Sequence, residues 1–185
     1  MPERIVTYST GNHAIALAYA AELFRLKIRI YLPKNVINYK RNILKTSNLD
    51  IIEVGSRAEA EYRSMNDINN DFHFVHPSSE DMIISGAGTV VYEAIKQFCH
   101  ANPEDDLDFI FAPCGGGGLL SGSLLARDLI SPCSRIFGCE PLVANDAYLS
   151  IKNNKIYRFE KSPITIAAGL RALTISQKII TYLKK

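Results

Sequence analysis

The 185-residue chain is 47% hydrophobic and 22% charged, with a net charge of +2. This balance fits a globular core and argues against nucleic-acid or membrane-surface partners, which need a strongly basic face. Cys99, Cys114, Cys133 and Cys139 form no C-x-x-C pair and no zinc-spaced cluster with histidine, which predicts reduced thiols in a cytoplasmic protein. With no leading apolar segment and no 18-residue apolar run, neither export nor a membrane span is expected.

Ile5 to Tyr8 reads as a strand ending at Ser9-Thr10-Gly11-Asn12-His13. A helical pattern follows, with Ala14, Leu17, Ala18, Ala21 and Leu23 or Phe24 on one face. Ile28 to Leu32 alternates as a strand stopped by Pro33, Asn38 to Leu44 reads as a helix, and Asp50 to Val54 as a third strand. Ser56-Arg57-Ala58-Glu59 has the spacing of a capping box and opens a helix to about Asn69. Phe72 to Val75 completes a β-α-β-α-β-α-β order, which implies a parallel sheet with right-handed crossovers. His76-Pro77-Ser78-Ser79 reads as a junction, giving a small α/β domain over residues 1–76 and a second over 77–185.

In the second part a helix is expected from about Gly88 to His100. The apolar run Ile110-Phe111-Ala112-Pro113-Cys114 then stops at Gly115-Gly116-Gly117-Gly118, where a helix to about Ile130 begins. Arg135 to Glu140 reads as a strand, Ala144 to Lys152 and Gln177 to Leu183 as helices, and Ile166 to Arg171 fits no single pattern. The fold class is therefore α/β, two lobes with parallel sheets covered by helices. The second sheet has about two strands against the usual ~4–6, so either partners on its open edge and face or instability is expected.

Strand, glycine loop and helix together form an anion cup. Without Cβ atoms the backbone can turn several N–H groups onto one point, and the helix start adds its positive dipole end. A plain turn would need only one or two glycines. Gly117-x-x-x-x-Gly122 has P-loop spacing, but Ser123 stands where that motif needs lysine, and no G-x-G-x-x-G follows a strand. Cys114, near a helix start, has two readings, a stabilised thiolate or a small turn filler. A nucleophile elbow would need glycine where Ala112 stands.

Taken in order, Ser9-Thr10-Gly11-Asn12-His13-Ala14, Ser85-Gly86-Ala87-Gly88-Thr89, the Gly115–Gly118 loop, Gly138-Cys139-Glu140-Pro141 with Asn145-Asp146-Ala147-Tyr148, and Thr165-Ile166-Ala167-Ala168-Gly169-Leu170-Arg171 resemble the serine/threonine dehydratase and serine racemase family. These are pyridoxal 5'-phosphate (PLP) enzymes of the tryptophan-synthase-β fold type, and the chain matches their middle, with the large domain incomplete. The resemblance implies that Gly115, Gly116, Gly117 and Gly118 hold the PLP phosphate and that Asn12 meets the ring oxygen. It implies that Ser9, Thr10, Gly11 and His13 hold the carboxylate of a small amino acid, with Thr10 on the substrate side. It also implies that Glu140, the Ala144 carbonyl and Asp146 form a site for Mg²⁺ or Ca²⁺. The implied activity is that of an amino-acid ammonia-lyase, with a racemase-like isomerase or an inactive binding remnant as alternatives.

There are departures from the family pattern. The Schiff-base lysine lies upstream of the Ser-x-Gly-Asn-His motif in the family, eight residues precede Ser9 here, and no lysine of this chain matches it. Ala168 stands where dehydratases usually have Asp, Ala87 where Gln is usual, and Thr10 replaces a common Ser while keeping the hydroxyl. A homo-oligomer or a chain supplying the lysine is the partner this implies.

Overall fold

The protein is described here from a computed structural model, covering residues 4–9, 11–34, 42–44 and 49–184. It divides into two compact units, Met1–Pro77 and Ser78–Lys185.

The first unit is a parallel sheet of β1 (Arg4–Tyr8), β2 (Lys27–Pro33), β3 (Leu49–Val54) and β4 (His73–Phe74), in the order β3-β2-β1-β4. Side chains alternate between its faces. Ile5, Ile28, Ile30 and Leu32 meet Ala14, Ala18 and Ala21 of α1 (Asn12–Phe24). Val6, Tyr8, Tyr31 and Val54 meet Ala60 of α2 (Arg57–Asn66). Helices thus cover both faces, as a parallel sheet requires. The buried stripe of α1 is its three alanines, spaced four and three apart; Leu23 and Phe24, expected on that face, are exposed. At about 3.6 residues per turn Leu23 falls on the side of the helix opposite the alanines and Phe24 on a flank, so neither shares their stripe.

The Ser56 half of the capping box forms as expected, while Glu59 reaches past the N-cap to the residue before it. Ser56 Oγ accepts from Glu59 N–H at 3.1 Å, and Glu59 Oε2 accepts from Gly55 N–H at 2.8 Å. The helix closes at Asn66 and runs into a 3₁₀ turn over Asp67–Asn70. Asp67 was not singled out by the sequence, yet it anchors this corner. Its carboxylate accepts from Tyr31 Oη at 2.9 Å, Arg29 Nη1 at 3.1 Å and Asn70 Nδ2 at 3.3 Å. Burial works to raise its pKa, but those donors outweigh it and hold the carboxyl below its usual value. β4 is shorter than expected, and most of the expected Asn38–Leu44 helix lies outside the described residues.

The second unit holds α3 (Asp81–Ala101), β5 (Phe109–Pro113), α4 (Gly118–Ile130), β6 (Arg135–Cys139), α5 (Asp146–Lys152) and α6 (Gln177–Leu183). β5 and β6 pair in parallel as a two-stranded sheet. α3 begins seven residues before the expected Gly88, because its glycines lie inside the helix. Gly88 allows α3 and α4 to approach: a Cβ there would fall 2.6 Å from the Gly122 carbonyl oxygen, and one on Gly122 would fall 2.5 Å from the Gly88 nitrogen. Ile84, Gly88, Val91 and Ile95 form the buried stripe of α3. Ala112, Cys114, Leu120, Ile175, Ile179 and Ile180 form the core beneath the sheet. Among the described residues no helix is long and apolar enough to cross a membrane.

Candidate functional site

In the first unit, Ser9, Gly11, Asn12 and His13 meet where β1 ends and α1 begins; Thr10 lies outside the described residues. Ser9 Oγ accepts from the amides of Gly11 at 3.1 Å and Ala14 at 3.2 Å, so its buried hydroxyl oxygen caps the helix. Gly11 has an extended φ of −175°, a backbone that any residue adopts. Asn12 is exposed on the first turn.

His13 is held by Thr7, a residue the sequence reading passed over. Thr7 Oγ1 donates to the Val75 carbonyl at 2.7 Å and lies 3.1 Å from His13 Nε2. A hydroxyl has one proton and it is spent on Val75, so Nε2–H donates to Thr7 and Nδ1 keeps its lone pair. Burial lowers the His13 pKa to about 4 against an opposing hydrogen bond to the Val75 backbone, with the nearby His76 adding to the lowering. His13 is therefore neutral near pH 7 and carries no positive ring charge. His76 is not partnerless: its Nε2 lies 3.4 Å from Tyr8 Oη, and its ring meets Tyr8 and Phe74 edge-on.

A pH dependence follows with a definite sign. The unfolded chain takes up a proton at His13 near pH 6.5, whereas the folded one does so only near 4. Its contribution is present above 6.5 and is lost as the pH falls through that interval. We expect about 2 kcal/mol of stability to disappear between pH 6.5 and 4, allowing for partial exposure. In thermal melts across that range, His13→Asn should show a flatter pH profile than the wild type; parallel profiles would count against a buried neutral imidazole.

In the second unit the glycine loop lies against three other segments. A Cβ on Gly115 would fall 2.8 Å from the Gly169 carbonyl oxygen. One on Gly116 would fall 2.6 Å from Ser78 Oγ, and one on Gly118 2.9 Å from the Ser78 carbonyl oxygen. One on Gly117, which has φ +84°, would run into Ile179 Cγ2. Close neighbours thus exclude side chains at all four positions. Among the described residues, the amides of Gly115, Gly116, Gly117 and Gly118 have no protein acceptor. Unaccepted amides at the start of a 13-residue helix fit a phosphate. Ser78, read from sequence as part of a junction, borders the loop, as does the unclassified 166–171 segment through Gly169.

Cys114 is buried. Burial first, then the charges of Glu140 and Asp146, push its thiol up to about 12, so the filler reading stands and the thiolate reading falls. Glu140 takes its two oxygens to the amides of Ala147 (3.0 Å) and Tyr148 (2.9 Å), capping α5, while burial raises its pKa. Ala144 and Asp146 are buried beside it in sequence. The described residues hold no group of three or more His, Cys, Asp and Glu able to bind a metal. With Glu140 engaged as a cap, these residues fit Mg²⁺ or Ca²⁺ less well than the glycine loop fits a phosphate.

The family profile described as "Pyridoxal-phosphate dependent enzyme" matches residues 2–185. The beta-hydroxyaspartate dehydratase of Paracoccus denitrificans (strain Pd 1222) is 34% identical over 170 residues, covering 90% of this chain and 51% of that protein. The serine racemase of Arabidopsis thaliana is 35% identical over 176 residues, covering 91% and 49%. The crystal structure of the T.th. threonine deaminase matches with a TM-score of 0.89 at 28% identity, over 100% of this chain and 59% of that one. That of maize serine racemase matches with 0.85 at 36%, over 98% and 53%. The chain spans about half the length of the curated relatives it matches. By profile, sequence and fold alike, this chain belongs to the family of pyridoxal-phosphate-dependent enzymes, with a tryptophan-synthase-β-like α/β fold.

Proposed function

We propose that this chain is the phosphate-binding part of a PLP-dependent lyase of the dehydratase, or ammonia-lyase, type acting on a small hydroxy-amino acid. PLP supplies an electron sink for the α-carbon of an amino acid. The observation that carries the reading is the glycine loop, with its four unaccepted amides, its helix start and its side-chain-excluding neighbours. In this reading Gly115, Gly116, Gly117 and Gly118 bind the cofactor phosphate. Ser9 fixes the start of α1 and takes up the Gly11 amide, which leaves the backbone donor of His13, together with Thr10, to bind the substrate carboxylate. The relatives named as dehydratases and as racemases support an amino-acid substrate of this kind.

No lysine of this chain matches the family's Schiff-base position, so a second reading, cofactor binding without turnover, applies to the chain by itself. Equilibrium dialysis with PLP separates the outcomes. Binding competed by inorganic phosphate, with no visible absorbance band removed by borohydride, is expected of the isolated chain. Binding that phosphate does not compete would remove the glycine loop from the proposal, and a borohydride-sensitive band would show that one of its own lysines serves.

A further inference from the structure

A second concave site lies at the other end of the first sheet. Ser9 and His13 stand where β1 ends, at the carboxyl end of the strands, where open α/β sheets place their ligands. At the amino end, Arg4, Lys27, Arg29, Leu49, Asp50 and Phe72 line a pocket of about 420 Å³, within the size range of small-molecule sites. Cross-strand partners share a face, so Arg4 stands directly beside Lys27, and Arg29 beside Asp50. Lys27 and Arg29, two apart on β2, point the same way.

The two cross-strand pairs differ in charge. Asp50 Oδ2 accepts from Arg29 Nε at 2.7 Å and Asp67 Oδ2 from Arg29 Nη1 at 3.1 Å, so Arg29 is countered by two carboxylates. Arg4 and Lys27 are both cations, and among the described residues neither has a carboxylate partner. Arg4 lies instead 5.6 Å from the centroid of the Phe72 ring, with Arg29 at 4.6 Å from the same ring. Like charges directly opposite on adjacent strands destabilise a sheet. An anion between them turns that repulsion into charge-assisted hydrogen bonds. Adjacent strands are ~4.8 Å apart, so one group with several acceptor oxygens can meet both side chains. A phosphate monoester has three such oxygens and roughly two charges at pH 7.

We propose that this pocket binds a phosphorylated sugar or polyol, its phosphate held between Arg4 and Lys27. Among the described residues Asp50 has no donor besides Arg29, which leaves its Oδ1 for the hydroxyls of the carbon skeleton. The half-buried Leu49 and Phe72 meet the C–H surface of that skeleton. The Phe72 ring already carries two guanidinium groups, which disfavours a ligand that needs an aromatic face to stack on. The pocket belongs to the first unit and the glycine loop to the second, and it draws on none of the PLP chemistry proposed above.

Ribose 5-phosphate titrated into the ¹⁵N-labelled chain, followed by amide chemical shifts, tests the site. Saturable shifts are expected at Arg4, Lys27, Arg29 and Asp50. Inorganic phosphate should shift Arg4 and Lys27 with an affinity lower by about tenfold, and ribose alone should shift none of the four. Lys27→Glu should weaken ribose 5-phosphate binding by about tenfold or more. Lys96→Glu, the same charge change on the exposed side of α3, should leave it unaltered. Without ligand, Lys27→Glu should melt no lower than the wild type, because it replaces a like-charge pair by an opposite one, so lost binding is not lost folding. Absence of saturable shifts at the four residues, including shifts confined to Gly115–Gly118, would overturn the pocket and leave the glycine loop its phosphate. An equal loss with Lys96→Glu would overturn it as a general charge effect. Equal affinity for inorganic phosphate would overturn it as the site of an adventitious ion only.

Discussion

Gly122→Ala is expected to cost the second unit about 3 kcal/mol or more, at the upper end of what overpacking does. A Cβ there would run into the Ile84 carbonyl oxygen and fall 2.5 Å from the Gly88 nitrogen. Both are backbone atoms of α3, so no rotamer change relieves the contact, and the two helices must separate along their crossing. That separation would also shift the helix start to which the glycine loop is attached. Gly86→Ala on the same helix is the control, because a Cβ there meets nothing within 4 Å. The gain in helix propensity should stabilise by about 0.5–1 kcal/mol. Urea denaturation followed by circular dichroism reads both, and a Gly122→Ala protein as stable as the wild type would mean that the helices do not cross here.

The second large effect falls on ligand binding. Gly117→Ala places an L side chain at φ +84°, at a cost of roughly 1–2 kcal/mol, and drives its methyl into Ile179 Cγ2. The loop must rotate to escape, and that reorients the amides that hold the phosphate in the proposed reading. Affinity for inorganic phosphate, measured by isothermal titration, should fall at least tenfold. Adding Ile179→Ala removes the steric part and leaves the φ strain, so the two substitutions should be non-additive in stability while phosphate binding stays weak. Unchanged phosphate affinity in Gly117→Ala would separate this loop from any anion.

The first sheet was legible because its strands carry apolar alternation broken by Pro33, Gly55 and a capping box, all local signals. The glycine loop was legible for the same reason, since four consecutive glycines have few structural uses. The start of α3 was not, because Gly86 and Gly88 look like helix breakers until Gly122 is found against Gly88, and that contact lies 34 positions further along the chain. The role of Ser78 was hidden in the same way, in a Pro-Ser run that resembles a linker. Thr7 and Asp67 were missed because a lone polar residue in or beside a strand shows nothing of its partner until the sheet is assembled. Ser9 was read as a substrate ligand, and the geometry gives its oxygen to the helix amides.

The order β3-β2-β1-β4 also bears on the sheet's edges. Strand β1 meets β2 through five residue pairs, yet His73 and Phe74 meet its other side through only two. The β4 side of β1 is therefore the thinly covered flank of this sheet, two pairs against five on the β2 side, and the side on which an added strand would find unpaired backbone.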